Sequence, residues 1–547
     1  MATNKIKTII LAIIVCFAIN SLNAQTFTKY WVKFKNKNGS PYSISNPSAF
    51  LSAKSIARRT NQGIAVDLTD IPVNQTYINQ VNATGAQVLQ RSKWLNAAVV
   101  NVSSSAQLTA INSLTCVLST SPVAKLYKTT PDEPIKPVAN SLKTSNTSTG
   151  YNYGPSFTQA NQIGADCMHN KGYRGQNILI AMIDAGFFEA DVNPVFDSLR
   201  TEGRLMGTRD FVQGNLSVYE DNLHGANCLS LMTGNAPGQL IGTAPKAKYW
   251  LLRSEDAATE KIIEENYWVV AAEFADSVGV DMTTTSLGYT TFDIASQNHT
   301  YSDLDGRTSV ASIAATMASR KGIFVLNAAG NEGGGSWNYI GVPADADSIC
   351  TVGSVNGSGV HSGFSSVGPT ADGRIKPDLS SMGEGSYVCS PGFNFGSGNG
   401  TSYATPILAG AVACLIQANP TKTNMQILQA LKSSASKSTN PDNDYGWGIP
   451  NVCVANALLN PVSVNELESL TGFNLYPNPA QNFINFSLNQ TPELVQLTDV
   501  LGKEIDVAYS EINSNQYKIQ LNNLPKGVYF ISIKTTEGLI NTKFVKE

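Results

Sequence analysis

The sequence predicts an α/β protein whose body is a parallel sheet with helices on both faces, preceded by a small α+β domain and followed by a small β-sandwich. Three observations lead there. Between about residues 150 and 457, near-continuous apolar runs (NILIAMID, YWLLR, GIFVLNAAG, SICTVGSV) alternate with helical stretches. Strands apolar on both faces belong to a sheet covered on both sides. Ahead of that body, residues 25 to about 140 mix short strand patterns (YWVKFK, NAAVVNV) with helical ones (AFLSAKSIARR, SSAQLTAINSL). From about 472 the pattern becomes FINFSL, ELVQLTDV, YKIQL, VYFISIKT and LINTKFV, short strands parted by turns, as an antiparallel sandwich requires.

At 547 residues the chain exceeds what one hydrophobic core supports, so several domains are expected. Hydrophobic residues make up 42% and charged residues only 14%, with Ser, Thr, Asn and Gly filling the gap. A net charge of −3 without a basic stripe argues against a nucleic-acid partner. Lys5 and Lys7 precede the apolar run IILAIIVCFAI and the small-residue stretch SLNA. That order reads as a signal peptide over residues 1–24, and the run is about half the ~20 residues a membrane span needs. No other stretch reads as long and apolar enough to cross a membrane, so the expected destination is secretion or the cell surface. Of eight cysteines, Cys16 lies in the leader, and the other seven show no C-x-x-C spacing. Export permits disulfides, an odd number leaves one thiol over, and spacing assigns no pairs. The stretch PDEPIKPVANSLKTSNTSTG reads as an exposed linker. The expected domains are therefore 25–145 (α+β domain and linker), 146–460 (the body) and 472–547 (the sandwich).

Chemistry concentrates in four segments of the body. NILIAMIDAGF puts Asp184 at the carboxyl end of a buried strand, where α/β sheets gather their sites, although an acid just ahead of a glycine (here Gly186, after Ala185) is also a common turn. DNLHGANCLSLMTG puts His224 at the start of a helix; the chain's other histidines, His169, His299 and His361, lie in polar or helix-surface contexts that suit solvated roles. GNGTSYATPILAGAVACLI sets Ser402 between a Gly-rich turn and an Ala-rich helix, so its hydroxyl meets a helix N-terminus that favours developing negative charge. Its plainer reading is an N-cap, shared with Thr401. GIFVLNAAGNEGGG leaves Asn331 just past a strand, as a turn residue or as an amide aimed toward Ser402.

The order Asp184, His224, Ser402, with these local sequences, resembles the subtilase family of subtilisin-like serine peptidases. Further segments carry the resemblance: Gly242, Ala244 and Pro245 in IGTAPKAKYWLLR, TTTSLG, and FSSVGPTADGRIKPDL. It implies a subtilisin-like fold and a serine-type endopeptidase with a catalytic Asp184–His224–Ser402 triad. It also implies Asn331 in the oxyanion hole, with Ser286, Leu287 and Gly288 and Ala328, Ala329 and Gly330 lining the substrate cleft. No cofactor or metal is required by that chemistry; structural calcium is frequent in the family, but no acidic cluster here assigns a site. Ala185, Ala226 and Tyr403 depart from the residues usual at those places. Cys228 lies one turn after His224, as a buried structural thiol or a regulatory one.

By the same resemblance, 25–145 is a propeptide that assists folding and blocks the cleft, cut off between about 130 and 150; the plainer reading is an accessory domain. Tyr476–Pro479, Gly527–Tyr529 and the closing Lys543–Lys546 resemble the C-terminal sorting domain of the type IX secretion system. The expected partners are protein or peptide substrates, the chain's own propeptide and the type IX machinery, with the enzyme a monomer made as a zymogen. The alternative is a non-catalytic surface adhesin on a subtilase scaffold. A lipase is excluded by the absence of a G-x-S-x-G elbow around Ser402 and by the order of the acid, base and nucleophile.

Overall fold

The computed structural model describes residues 27–125, 150–460, 473–489, 491–500, 503–535 and 538–547. The expected signal peptide, and the linker region in which cleavage is expected, lie outside the described residues. The chain divides into two compact units, Met1–Leu459 and Asn460–Glu547.

The body is a seven-stranded, wholly parallel sheet. Its strands are β5 (Leu179–Asp184), β6 (Leu205–Asp210), β7 (Lys248–Arg253), β8 (Met282–Thr285), β9 (Phe324–Ala328), β10 (Cys350–Val355) and β11 (Leu379–Met382), in the order β11-β10-β9-β8-β5-β7-β6. Here β1–β4 denote the N-terminal strands Phe27–Phe34, Gln87–Ser92, Ala97–Asn101 and Val117–Lys125. Every residue of β5 is buried, and the two-residue period of the strand sorts them between two cores. Ile180 and Met182 join one core with Leu229 and Ile407, while Leu179, Ala181 and Ile183 join the other with Trp268 and Val325. That is why the run reads as continuously apolar.

Helices α2 (His224–Thr233) and α4 (Thr401–Ala418) cover the first face, and α3 (Ile263–Val278) the second. By length and composition, α4 could cross a membrane, contrary to the expectation from sequence, but 72% of it is buried. Its apolarity belongs to a core helix wedged between the sheet and α2.

The N-terminal domain forms an antiparallel sheet in the order β2-β3-β1-β4. It is apolar on both sides, for different partners. Val32, Ala98 and Val100 face the domain's own helices, whereas Trp31, Ala97 and Val99 join the core of the body together with Trp94 and Val123. A buried ion network edges this contact. Asp276 of α3 accepts from Arg58 of α1 (Ala53–Asn61) at 2.5 Å and from Lys93 at 2.9 Å, with Arg59 2.8 Å away. Glu273, one turn earlier, accepts from Ser92 Oγ and from the Lys93 and Trp94 amides at 2.5, 2.7 and 3.0 Å. Charge runs the other way at Lys321, which pairs with Asp67 and Asp70. A disulfide joins Cys167 to Cys453, 286 residues apart, while Cys116, Cys228, Cys350, Cys389 and Cys414 are buried and free.

The second unit holds two four-stranded antiparallel sheets. One orders Asn474–Tyr476, Phe483–Ser487, Gln516–Gln520 and Tyr509–Asn513; the other orders Glu504–Ile505, Leu494–Asp499, Gly527–Thr535 and Gly538–Lys546. Phe486, Leu497, Ile519, Ile531 and Phe544 share its core. All five strand patterns named from the sequence fall on these strands.

Burial works against ionising Asp276, but Lys93, Arg58 and Arg59 outweigh it and bring its pKa from 3.8 to about 2. The folded value is depressed, so the stabilisation is present above pH 3.8 and lost as pH falls through about 2. Asp276→Ala takes their shared counter-ion from the buried Arg58 and Lys93, while Arg59 keeps Asp70, and should cost roughly 3–5 kcal/mol, read as a lower denaturant midpoint of the intact chain.

Candidate active site

Three strand ends and two helix starts converge at the carboxyl edge of the sheet. Asp184 ends β5 and is fully buried. Its Oδ1 accepts from the Ala185 amide at 2.8 Å and from His224 Nδ1 at 2.7 Å. Oδ2 has no hydrogen-bond partner, and the neighbouring Ala185 has no hydroxyl to offer. The approach of the two segments depends on Gly225, where a Cβ would lie 2.3 Å from the Gly186 carbonyl oxygen and 2.9 Å from Asp184 Cβ. Asn222 fixes the entry to α2, its Oδ1 accepting from the His224 amide at 2.7 Å.

His224 keeps 30% of its side chain exposed. Burial disfavours the imidazolium, but the hydrogen-bonded Asp184 carboxylate outweighs it and holds the pKa well above 6.5. Cys228 Sγ lies 4.0 Å from His224 Nε2, and burial pushes its own pKa up, so it stands there as a neutral thiol. Glu255 is pushed up by burial, Glu260 and Asp184, which lessens the negative charge beside the dyad near neutral pH.

Ser402 occupies the first turn of α4, and neither it nor Thr401 acts as an N-cap. Gly400 is the cap residue, at a φ of +152° that a side chain rarely adopts. The first amide of the helix, that of Thr401, is instead held by Asn331 Oδ1 at 2.8 Å, and Thr401 Oγ1 donates to the same oxygen at 3.0 Å. With Oδ1 engaged, the two Nδ2 protons of Asn331 are left for another acceptor.

Pro406 sits four residues beyond Ser402 inside the helix and has no N–H for the Ser402 carbonyl. Ser286 Oγ and Cys228 Sγ serve that carbonyl instead, at 2.9 and 3.2 Å. Ser402 Oγ donates back to the Ser286 carbonyl at 3.1 Å rather than to His224, so rotation about Cα–Cβ is needed to meet the imidazole.

The other residues picked out from the sequence frame this point. Ser286, Leu287 and Gly288 follow β8; Leu287 is nearly buried, its carbonyl accepting from Asn327, and Gly288 is exposed. Ala328, Ala329 and Gly330 leave β9, with both alanines buried and the Gly330 amide directed at Thr401 Oγ1.

The remaining histidines correct the expectation of solvated roles. His169 is fully buried between Tyr153 and the Thr243 carbonyl, and burial lowers its pKa to about 4. His299 is nearly buried against Glu265, and His361 is half-buried against Tyr445. Local sequence holds no signal for this, because their partners lie on other elements.

Among the described residues, the one group of His, Cys, Asp and Glu close enough to share an ion is Asp184, His224 and Cys228. A thiol and an imidazole do not suit calcium, which prefers oxygen ligands.

Residues 175–448 match the Subtilase family, residues 29–136 the "Peptidase S8 propeptide domain, Bacteroidota", and residues 474–547 the "Secretion system C-terminal sorting domain". Subtilisin NAT of Bacillus subtilis subsp. natto is 33% identical over 301 residues, spanning 54% of this chain and 69% of that protein. Subtilisin of Bacillus pumilus is 31% identical over 301 residues, 54% of this chain and 96% of the relative. Subtilisin Savinase of Lederbergia lenta is 27% identical over 292 residues, 53% and 94% respectively.

Proposed function

This chain belongs to the subtilase family and is a serine-type endopeptidase, and on that premise we propose that Asp184, His224 and Ser402 are its catalytic triad. The observation that carries the reading is the 2.7 Å bond between the buried Asp184 carboxylate and His224 Nδ1. It fixes the tautomer that leaves Nε2 able to accept a proton. Ser402 swings from the Ser286 carbonyl, gives its proton to Nε2, and attacks the peptide carbonyl carbon. The oxyanion then meets Asn331 Nδ2 and the Ser402 amide, a first-turn N–H with no intrahelical acceptor. His224 returns the proton to the leaving amine, and water deacylates the enzyme by the same route. Residues 286–288 and 328–330 border the space for the chain being cut. No step calls on a metal or cofactor.

The propeptide domain makes the chain a zymogen, and the sorting domain marks it for export to the outside or the surface of the cell. The finer reading is a Sec leader at 1–24, type IX translocation directed by 472–547, and release of a core of about 146–460 that is active as a monomer on protein or peptide substrates. Structural calcium is not assigned.

Ser402→Ala should abolish casein hydrolysis and fluorophosphonate labelling; hydrolysis surviving in that variant refutes the triad. Asn331→Ala should cost about 10²–10³ in kcat. Neutral His224 is the active form and its pKa is raised, so kcat/KM should fall on acidification with a midpoint above 6.5, the ordinary imidazole value. Deleting 472–547 should leave the protein in the periplasm, as fractionation and immunoblotting would detect.

A further inference from the structure

Behind the dyad lies a guanidinium that the reaction does not use. Arg253 ends β7 directly opposite Asp184 in the parallel register, and only 2% of it is exposed. Its Nη1 donates to Asp210 Oδ2 at 2.8 Å and lies 2.6 Å from Asp221 Oδ2. Its Nε donates to the carbonyls of Ala185 and Glu255 at 3.2 and 3.0 Å.

One planar group thus joins the residue after Asp184, the end of β6, the chain three residues ahead of His224, and the turn after β7. The segment containing Asp221 also carries Asn222, which caps the His224 amide and accepts from Phe188 N through its carbonyl at 2.9 Å. Asp184 and His224 come from separate elements that meet through the Gly225 amide on the Gly186 carbonyl at 3.0 Å, and Arg253 braces that junction from the neighbouring strand by bonding to a residue of each side. A lysine offers one point charge on a flexible stem and cannot reproduce such a fork.

We propose that Arg253 is a positioning residue that sets the Asp184–His224 geometry by holding the Ala185 carbonyl and the Asp221 carboxylate at a fixed separation. The inference rests on the triad reading above.

The test uses the purified secreted protein and the second-order rate of fluorophosphonate labelling as a function of pH, which reports Ser402 activation without a known substrate. Arg253→Lys keeps the charge and loses the fork. It should slow labelling about tenfold, as a small displacement of a reacting pair does, and move the acid limb toward 6.5 as His224 loosens from Asp184. Asp221→Ala, whose side chain is already 33% exposed, tests the same link at little risk to folding and should slow labelling in the same way. Arg204→Lys is the control. That arginine is also buried and ion-paired, but it lies at the opposite end of β6, and its variant should label within twofold of the parent. Arg253→Lys and Asp221→Ala labelling like Arg204→Lys, once corrected for folded fraction, would overturn the proposal. Labelling that survives Ser402→Ala would overturn the triad itself, a separate result.

Discussion

A carboxylate with no exposed surface, hydrogen-bonded to a partly exposed imidazole, is the constraint on which the rest of the body depends. Burying the Asp184 charge is costly unless it is paired, and His224 supplies the pairing side chain. Two elements must therefore meet at hydrogen-bonding distance at the edge of the sheet. Small residues make the approach possible: Gly225 lies against the Gly186 carbonyl, where a Cβ has no room. The raised pKa of His224 follows from the same contact.

The segment around Ser402 shows a related arrangement. A proline inside α4 removes the partner of the Ser402 carbonyl, and two side chains from different elements replace it. The helix therefore begins in a structure tied to β8 through Ser286 and to α2 through Cys228. Asn331 adds a tie to β9 by holding the first amide of the helix. The buried thiol at Cys228 has a plain physical role in this arrangement: with Ser286 Oγ it donates to a carbonyl that the helix itself leaves without a partner.

The propeptide domain uses both faces of one small sheet. Alternation along β1 and β3 sends one set of side chains to its own helices and the other to α3 of the enzyme. Its docking is consequently part of the hydrophobic core, with Asp276 and Glu273 setting the register at the edge. Removing the domain takes Lys29 from the Tyr267 hydroxyl and leaves those two acids to water.

Much of this was legible in the linear sequence. Strand runs, the two helix starts and the order Asp184, His224, Ser402 depend on local periodicity and on residues within a few positions of one another. The Asp-Ala-Gly, His-Gly and Gly-Thr-Ser segments carry their own turn chemistry, so the family resemblance could be read directly. What local pattern could not supply was pairing across the chain. Cys167 finds Cys453 across 286 residues, His169 and His299 are buried by partners on other elements, and Arg253 looks like any strand-ending cation until Asp210, Asp221 and Ala185 surround it. The sequence by itself determined which segments become strands, helices and candidate reacting groups, because those depend on short-range spacing. Only the tertiary structure decided which groups are buried together, how Ser402 is turned, and what holds Asp184 to His224, because burial and hydrogen bonding depend on neighbours that the chain brings in from far away.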